Sequence, residues 1–441
     1  MKTAIINKIK TNRILQYTVV AMTILMVLQS CSKIQELKEL VSNGTQTPSA
    51  GTVVEKPYII LISADGFRHD YLKEHHAPNL SRHYAEGIST DYMLPSYPTL
   101  TQPNHFTLLT GLYPGHSGIV GSNFFQRRKD YSLIPFKPSQ TYWFESAETI
   151  WQTANNQNMV TGNINWPMGK SILNSFPNNV LQYEGTTGDG EGTDEEEAGN
   201  NVSIDEKINT VVSWLTKPVA ERPHLITIHF GEADHMGHSY GPNSTEVKNA
   251  ISTIDTDVEK LSVAVKKLNL PVSFIFLSDH GMMKNDSIGI GVQRRIDPSF
   301  KFVNLNSLVH LYATDSTKIN AEYEKFNSSK GSNYQVYKKS SFPAHLKYSG
   351  NYDKFNRTGD IIIVPNPGKS AKARPGAGMH GFDADAVPEM RAIFMAWGPA
   401  FKNGYKIAPF KNVEVYGLLA TVLGLTPAVN DGKLIINDML K

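Results

Sequence analysis

The stretch Tyr58-Ile59-Ile60-Leu61-Ile62-Ser63-Ala64-Asp65-Gly66 sets an unbroken apolar, β-prone run directly before a carboxylate and a glycine. A strand that is apolar at every position, rather than at alternate ones, is covered on both faces and belongs inside a sheet with helices above and below. Asp65 then falls at the carboxyl end of the strand, the edge at which such sheets bind ligands. Leu225 to Phe230 leads in the same way into Glu232 and Asp234, Val272 to Ser278 into Asp279-His280, and Arg391 to Met395 precedes Trp397-Gly398-Pro399. Helical patterns, among them Ile204 to Leu215 and Val247 to Leu268, separate the runs. This order predicts an α/β fold whose central sheet is mostly parallel and flanked by helices. Residues 296–360 carry short alternating stretches, including Val303 to Ala313 and Tyr334 to Tyr337, and read as a small insertion subdomain beside the site. Gly185 to Gly199, glycine-rich and acidic, reads as a solvated loop without an EF-hand pattern.

The chain has 441 residues, 40% hydrophobic and 19% charged, which supports a sizeable core and excludes a disordered or collagen-like protein. Lys2, Lys8, Lys10 and Arg13 crowd the start, and the 43 basic residues less these four face 41 acidic ones, a balance of −2. No basic surplus remains for binding long nucleic acids. Those charges precede the apolar run Tyr17 to Leu28 and then Leu28-Gln29-Ser30-Cys31, a run too short to span a bilayer comfortably. The segment resembles a bacterial lipoprotein signal peptide over residues 1–30, with lipid anchoring through Cys31 and a polar tether over 31–54. That resemblance implies a bacterial cell envelope location, facing the periplasm or the surface. An uncleaved signal anchor with a free cysteine is the alternative. Cys31 is the only cysteine, so no intramolecular disulfide forms.

Asp65, Asp234, His238, Asp279, His280 and His380 supply three carboxylates and three imidazoles at strand ends or in loops. Each is explained alone by turn chemistry. Together they match the mixed oxygen and nitrogen ligation of zinc or another transition metal better than that of magnesium. Six ligands exceed one catalytic zinc site, so two metals follow. Pro98-Thr99-Leu100-Thr101-Gln102-Pro103-Asn104-His105 runs into apolar Leu108-Leu109 and reads as the start of a helix. A threonine there is locally an ordinary N-cap. It is also a nucleophile in waiting, because a metal lowers the pKa of its hydroxyl and a helix N-terminus attracts an anionic phosphoryl group.

The ordered motifs resemble the nucleotide pyrophosphatase/phosphodiesterase family of the alkaline phosphatase superfamily over roughly residues 56 to 430. Ile62-Ser63-Ala64-Asp65-Gly66-Phe67, Pro98 to His105, Thr110-Gly111-Leu112-Tyr113-Pro114, Gly118-Ile119-Val120-Gly121, Asp234 with His238, Ser278-Asp279-His280-Gly281-Met282, His380-Gly381-Phe382-Asp383 and Asn412 to Tyr416 carry it. The resemblance implies an alkaline phosphatase-like catalytic domain over 55–441 and hydrolysis of small phosphodiesters through a phosphothreonine. It assigns Thr101, not Thr99, as nucleophile. Asp65, Asp279 and His280, with Thr101 bridging, would hold one zinc, and Asp234, His238 and His380 the other. It assigns a phosphoryl-stabilising asparagine to Asn123 through a one-residue shift, with Ser122 competing.

Gln102 stands where nucleotide-cleaving relatives often carry phenylalanine, which weakens the case for base stacking and favours a lipid headgroup or another alcohol. Gln102, Asn123 and Phe382 are the candidate substrate contacts, and Tyr92, Tyr97, Phe124, Phe125 and Trp166 are further candidates for a pocket wall. A phosphomonoesterase of the same superfamily would need extra cationic donors, and no motif assigns Lys170 or Arg374 that role. A surface binding lipoprotein on a decayed hydrolase fold is the non-enzyme alternative, opposed by retention of all six ligands and Thr101.

Overall fold

The run Tyr58–Ala64 forms strand β1, buried at every residue. Its side chains divide by parity: Ile59 and Leu61 enter one apolar cluster, while Tyr58, Ile60 and Ile62 enter a second one on the other face. A one-residue slip would exchange these faces, and each buried aliphatic side chain contributes about 1.5–3 kcal/mol, so the register is strongly specified. The computed structural model describes residues 56–441 except 170–171, 173–178, 182–201, 287–288, 373–375 and 434–436. The signal-like segment 1–30, the tether 31–54 with Cys31, and the acidic loop 185–199 lie outside the described residues.

Among the described residues the central sheet has eight strands. In chain order they are β1, β2 (Ile88–Thr90), β3 (Thr161–Ile164), β4 (Asn179–Leu181), β5 (Leu225–Phe230), β6 (Val272–Leu277), β7 (Phe394–Trp397) and β8 (Tyr405–Ile407). Their spatial order is β8-β2-β7-β6-β1-β5-β3-β4. Five neighbours from β6 to β4 are parallel, but β7 runs antiparallel to both β6 and β2. The sheet is therefore mixed, which corrects the reading of Arg391 to Met395 as another strand aimed at the site. Ser278 N donates to Ile393 O at 3.2 Å, so the chain enters β7 beside the carboxyl end of β6 and runs back from that edge.

Helix α1 (Thr101–Thr110) and helix α5 (Glu414–Leu423) pack in the first cluster, whereas α2 (Ile204–Leu215) and α4 (Thr245–Lys266) pack in the second. Ser203 and Ser244 cap α2 and α4 by accepting from Glu206 N and Val247 N. Between α4 and α5 the chain also forms a four-stranded antiparallel sheet from Phe300–Asn304, Val309–Ala313, Tyr334–Lys338 and Ile361–Pro365. Phe326 of helix Ile319–Ser328 packs into its core with Leu311, Val336 and Ile363.

Ser307, in the turn of this second sheet, meets the segment that carries His380. Gly381 has φ +110°, and a Cβ there would lie 1.8 Å from Ser307 Oγ. Gly381→Ala is expected to lower unfolding stability by about 2 kcal/mol or more in urea titration. Gly331→Ala, at φ +50° with no atom nearby, is expected to cost no more than about 1 kcal/mol.

Candidate active site

β1, β5 and β6 end flush, with Ser63 opposite both His229 and Leu277. That register brings the residues after each strand to one edge: Asp65 after β1, helix α3 (Glu232–Tyr240) with Asp234 after β5, and Asp279-His280 after β6. Gly66, at φ +64°, permits the close approach of β1 to α3, since a Cβ there would be 3.0 Å from Asp234. Its N–H donates to Asp279 Oδ1 at 3.2 Å.

Three imidazoles meet these carboxylates in one manner. His280 Nδ1 lies 2.9 Å from Gly281 O, His238 Nδ1 3.1 Å from Gly378 O, and His380 Nδ1 2.8 Å from Thr99 O. A carbonyl only accepts, so each Nδ1 carries the proton and each Nε2 lone pair faces inward. His238 Nε2 and His380 Nε2 are 3.0 Å apart, at 3.5 and 3.6 Å from the Asp234 oxygens. His280 Nε2 is 3.0 Å from Asp279 Oδ2 and 3.4 Å from Asp65 Oδ1. Lone pairs thus face lone pairs, an arrangement that a cation resolves.

The charges give the same answer. Burial, and then the charges of Asp65 and Asp234, push Asp279 well above its ordinary range. Burial, followed by the neighbouring His380, holds His280 well below its usual value. Burial likewise brings His380 down to about 4. Among the described residues no Lys or Arg pairs with Asp234 or Asp279, and Asp234 Oδ1 and Asp279 Oδ2 accept no hydrogen bond. Two groups place ligand atoms within 4.8 Å of one another: Asp65 with Asp279 and His280, and Asp234 with His280 and His380. His238 joins the second through its contacts with Asp234 and His380. The donor set fits a binuclear zinc centre.

Thr101 is the first residue of α1, and its hydroxyl lies 3.2 Å from His280 Nε2. Leu100 occupies the N-cap, so Thr101 is not an ordinary cap. Thr99 is occupied elsewhere: its Oγ1 donates to Phe382 O and accepts from Gly381 N. Asn104 pins the turn between them. Its Nδ2 donates to Pro98 O and Leu100 O, and its Oδ1 accepts from Ser96 N and Asn412 Nδ2.

The remaining candidates are more scattered. Gln102 is buried at 4% exposure beside Thr101. Asn123 is exposed and Ser122 partly buried in the turn before strand Phe125–Arg127. Phe382 is buried among Met379, Ala384, Val387 and Met390, and Tyr97, Phe124 and Trp166 also lie in the core. Tyr92 and Phe125 are partly buried. Lys170 and Arg374 fall outside the described residues. Two histidines received no role from the sequence. His105 contacts Ser63 Oγ at 2.9 Å and Thr101 O at 2.9 Å, and His229 Nε2 lies 3.1 Å from Asp65 Oδ2. The signals were present: His105 is one helical turn after Thr101, and His229 interrupts an apolar strand.

Paired Asp and His clusters at the carboxyl ends of a doubly covered α/β sheet, with a threonine hydroxyl beside them, define a metal-dependent phosphoryl-transfer enzyme. The family model for Type I phosphodiesterase / nucleotide pyrophosphatase matches residues 59–383. The chain belongs to the nucleotide pyrophosphatase/phosphodiesterase family of the alkaline phosphatase superfamily. It is 31% identical over 412 residues to an uncharacterised pyrophosphatase/phosphodiesterase of Schizosaccharomyces pombe, covering 87% of this chain and 80% of that one. Rat ectonucleotide pyrophosphatase/phosphodiesterase family member 7 is 32% identical, with 85% of each chain covered. Human family member 1 is 31% identical across 88% of this chain, but the match spans 42% of that longer protein. The structure of murine family member 5, in an inactive threonine-to-alanine form with AMP, matches at 26% identity and TM-score 0.77, covering 88% of this chain and 100% of the other. These sequence relatives come from yeast, rat and human, which overturns the expected bacterial envelope location. Anchoring through Cys31 gains no support, and no helix among the described residues is long and apolar enough to cross a membrane.

Asp279 sets metal binding against stability. Asp279→Asn retains an acceptor for Gly66 N while removing a buried charge. The variant is expected to gain about 1 kcal/mol of metal-free stability and to lose zinc at its site. Chemical denaturation with chelator and zinc counting by elemental analysis check the two halves.

Proposed function

We propose that the enzyme cleaves small phosphodiesters by in-line displacement at Thr101 through a covalent phosphothreonine. The observation that carries this reading is the Thr101 hydroxyl, 3.2 Å from His280 Nε2, where His280 belongs to both ligand clusters. Asp65, Asp279, His280 and Thr101 would hold one zinc, and Asp234, His238 and His380 the other. When bound, the ions supply Lewis acidity that lowers the pKa of the Thr101 hydroxyl and offsets charge on the leaving oxygen. The first N–H groups of α1 draw the phosphoryl group toward that hydroxyl. Thr101 Oγ forms the new bond to phosphorus as the ester oxygen departs. Water then cleaves the threonine–phosphorus bond and restores the hydroxyl. Asn123 is assigned the nonbridging oxygen, with Ser122 as competitor.

The substrate's phosphorus carries a nucleoside fragment or a lipid headgroup. Gln102 beside Thr101, together with the burial of Phe382, Tyr97, Phe124 and Trp166, favours an alcohol that does not stack on an aromatic platform. Residues 296–360, which hold three of the four strands of the second sheet, are assigned to an insertion within a catalytic domain spanning 55–441.

Zinc-loaded protein should cleave chromogenic nucleoside-monophosphate and phosphocholine esters faster than a phosphate monoester. Preference between the diesters assigns the group that stays on phosphorus, because the same chromophore leaves from both. Thr101→Ala should reduce turnover by about 10³-fold or more, and Thr101→Ser should retain part of it. Equal turnover by Thr101→Ala and wild type would remove Thr101 from the mechanism, and a preference for the monoester would replace the diesterase reading.

A further inference from the structure

We propose that His229 is a positioning residue for Asp65, holding one carboxylate oxygen so that the other is presented to zinc. The inference rests on the zinc reading of the site. His229 is the penultimate residue of β5 and lies in register with Ser63 of β1, two residues before Asp65. Its Nε2 is 3.1 Å from Asp65 Oδ2, while Asp65 Oδ1 is 3.4 Å from His280 Nε2. The two oxygens of one carboxylate are therefore divided between a donor on one side and the ligand cluster on the other. A carboxylate rotating freely about its χ2 angle would spend part of its time with neither oxygen aligned for the ion.

The imidazole is itself held. Its ring stands edge-on to His105, with centroids 5.2 Å apart and planes inclined at 76°. His105 is locked by both nitrogens: Nδ1–H donates to Thr101 O at 2.9 Å, which leaves Nε2 to accept from the Ser63 hydroxyl at 2.9 Å. Asp65, His229, His105 and the backbone of Thr101 thereby form one series of contacts joining a metal ligand to the nucleophile. Asp65, His105 and His229 also bring ligand atoms within 4.8 Å of one another, as a third ion would require. Positioning is favoured over a third ion because both His105 nitrogens are already committed and no lone pair is left to ligate.

Zinc affinity, measured by competition with a chromogenic chelator, tests the proposal, with the thermal midpoint of metal-free protein recorded in parallel. His229→Leu should weaken one of the two zinc ions by about 10–100-fold and leave the other unchanged. His229→Gln, whose amide N–H replaces the donor, should recover most of the loss. The shorter His229→Asn should not, and that pair keeps the test valid if the leucine variant fails to fold. A purely structural role predicts lowered midpoints with zinc affinity unchanged, and that result overturns the proposal. Three zinc ions in wild type, with one lost in His229→Leu, overturn it in favour of a third site. Wild type that takes up no zinc overturns the metal reading itself, whereas two ions of unaltered affinity in all variants overturn only the role of His229.

Discussion

The site depends on a constraint of proton placement. His238, His280 and His380 each give the Nδ1 proton to a backbone carbonyl, so their Nε2 lone pairs converge on Asp234, Asp65 and Asp279. Without a cation these lone pairs oppose one another, and Asp234 Oδ1 and Asp279 Oδ2 accept no hydrogen bond from the described residues. The carbonyls that orient the rings therefore determine both the affinity for metal and the cost of its absence. This is how outer contacts tune a metal centre, by choosing the tautomer before the ion arrives.

Those carbonyls are placed by loops that are themselves tied down. Thr99 is the clearest case, because its carbonyl orients His380 while its hydroxyl bonds the Gly381 and Phe382 backbone. Asn104 fastens the same turn through four hydrogen bonds and leaves Thr101 at the head of α1. Thr101 and His380 are thus set by one hydrogen-bonded unit. Precision of this kind matters in displacement chemistry, where small misplacements of reacting atoms are costly.

The parallel register of β5, β1 and β6 turns strand ends that are distant in the chain into a single surface. The strand β7 runs the other way because it leaves the site edge after the His380 segment has crossed it. Its reversed direction does not disturb His380, which comes from the preceding loop, or the candidate ligands that follow β1, β5 and β6. Gly66 and Gly381 are among the places at this edge where the backbone comes too close for a side chain.

Much of this was legible in the chain. The unbroken run at 58–64 announces a doubly covered strand because burial on both faces leaves no polar alternation, and the carboxylates after three such runs announce the site. The six candidate ligands and Thr101 are read from residue chemistry and ordered motifs. Other features are properties of space alone. No local pattern says that β7 reverses, that Thr99 is spent on the Phe382 carbonyl, or that Phe382 turns into a core. His105 and His229 illustrate the boundary. Each is visible as a histidine in an unexpected place, yet its role exists only where β1, β5 and α1 meet, because hydrogen bonds depend on distances of about 3 Å that folding alone creates between residues far apart in sequence.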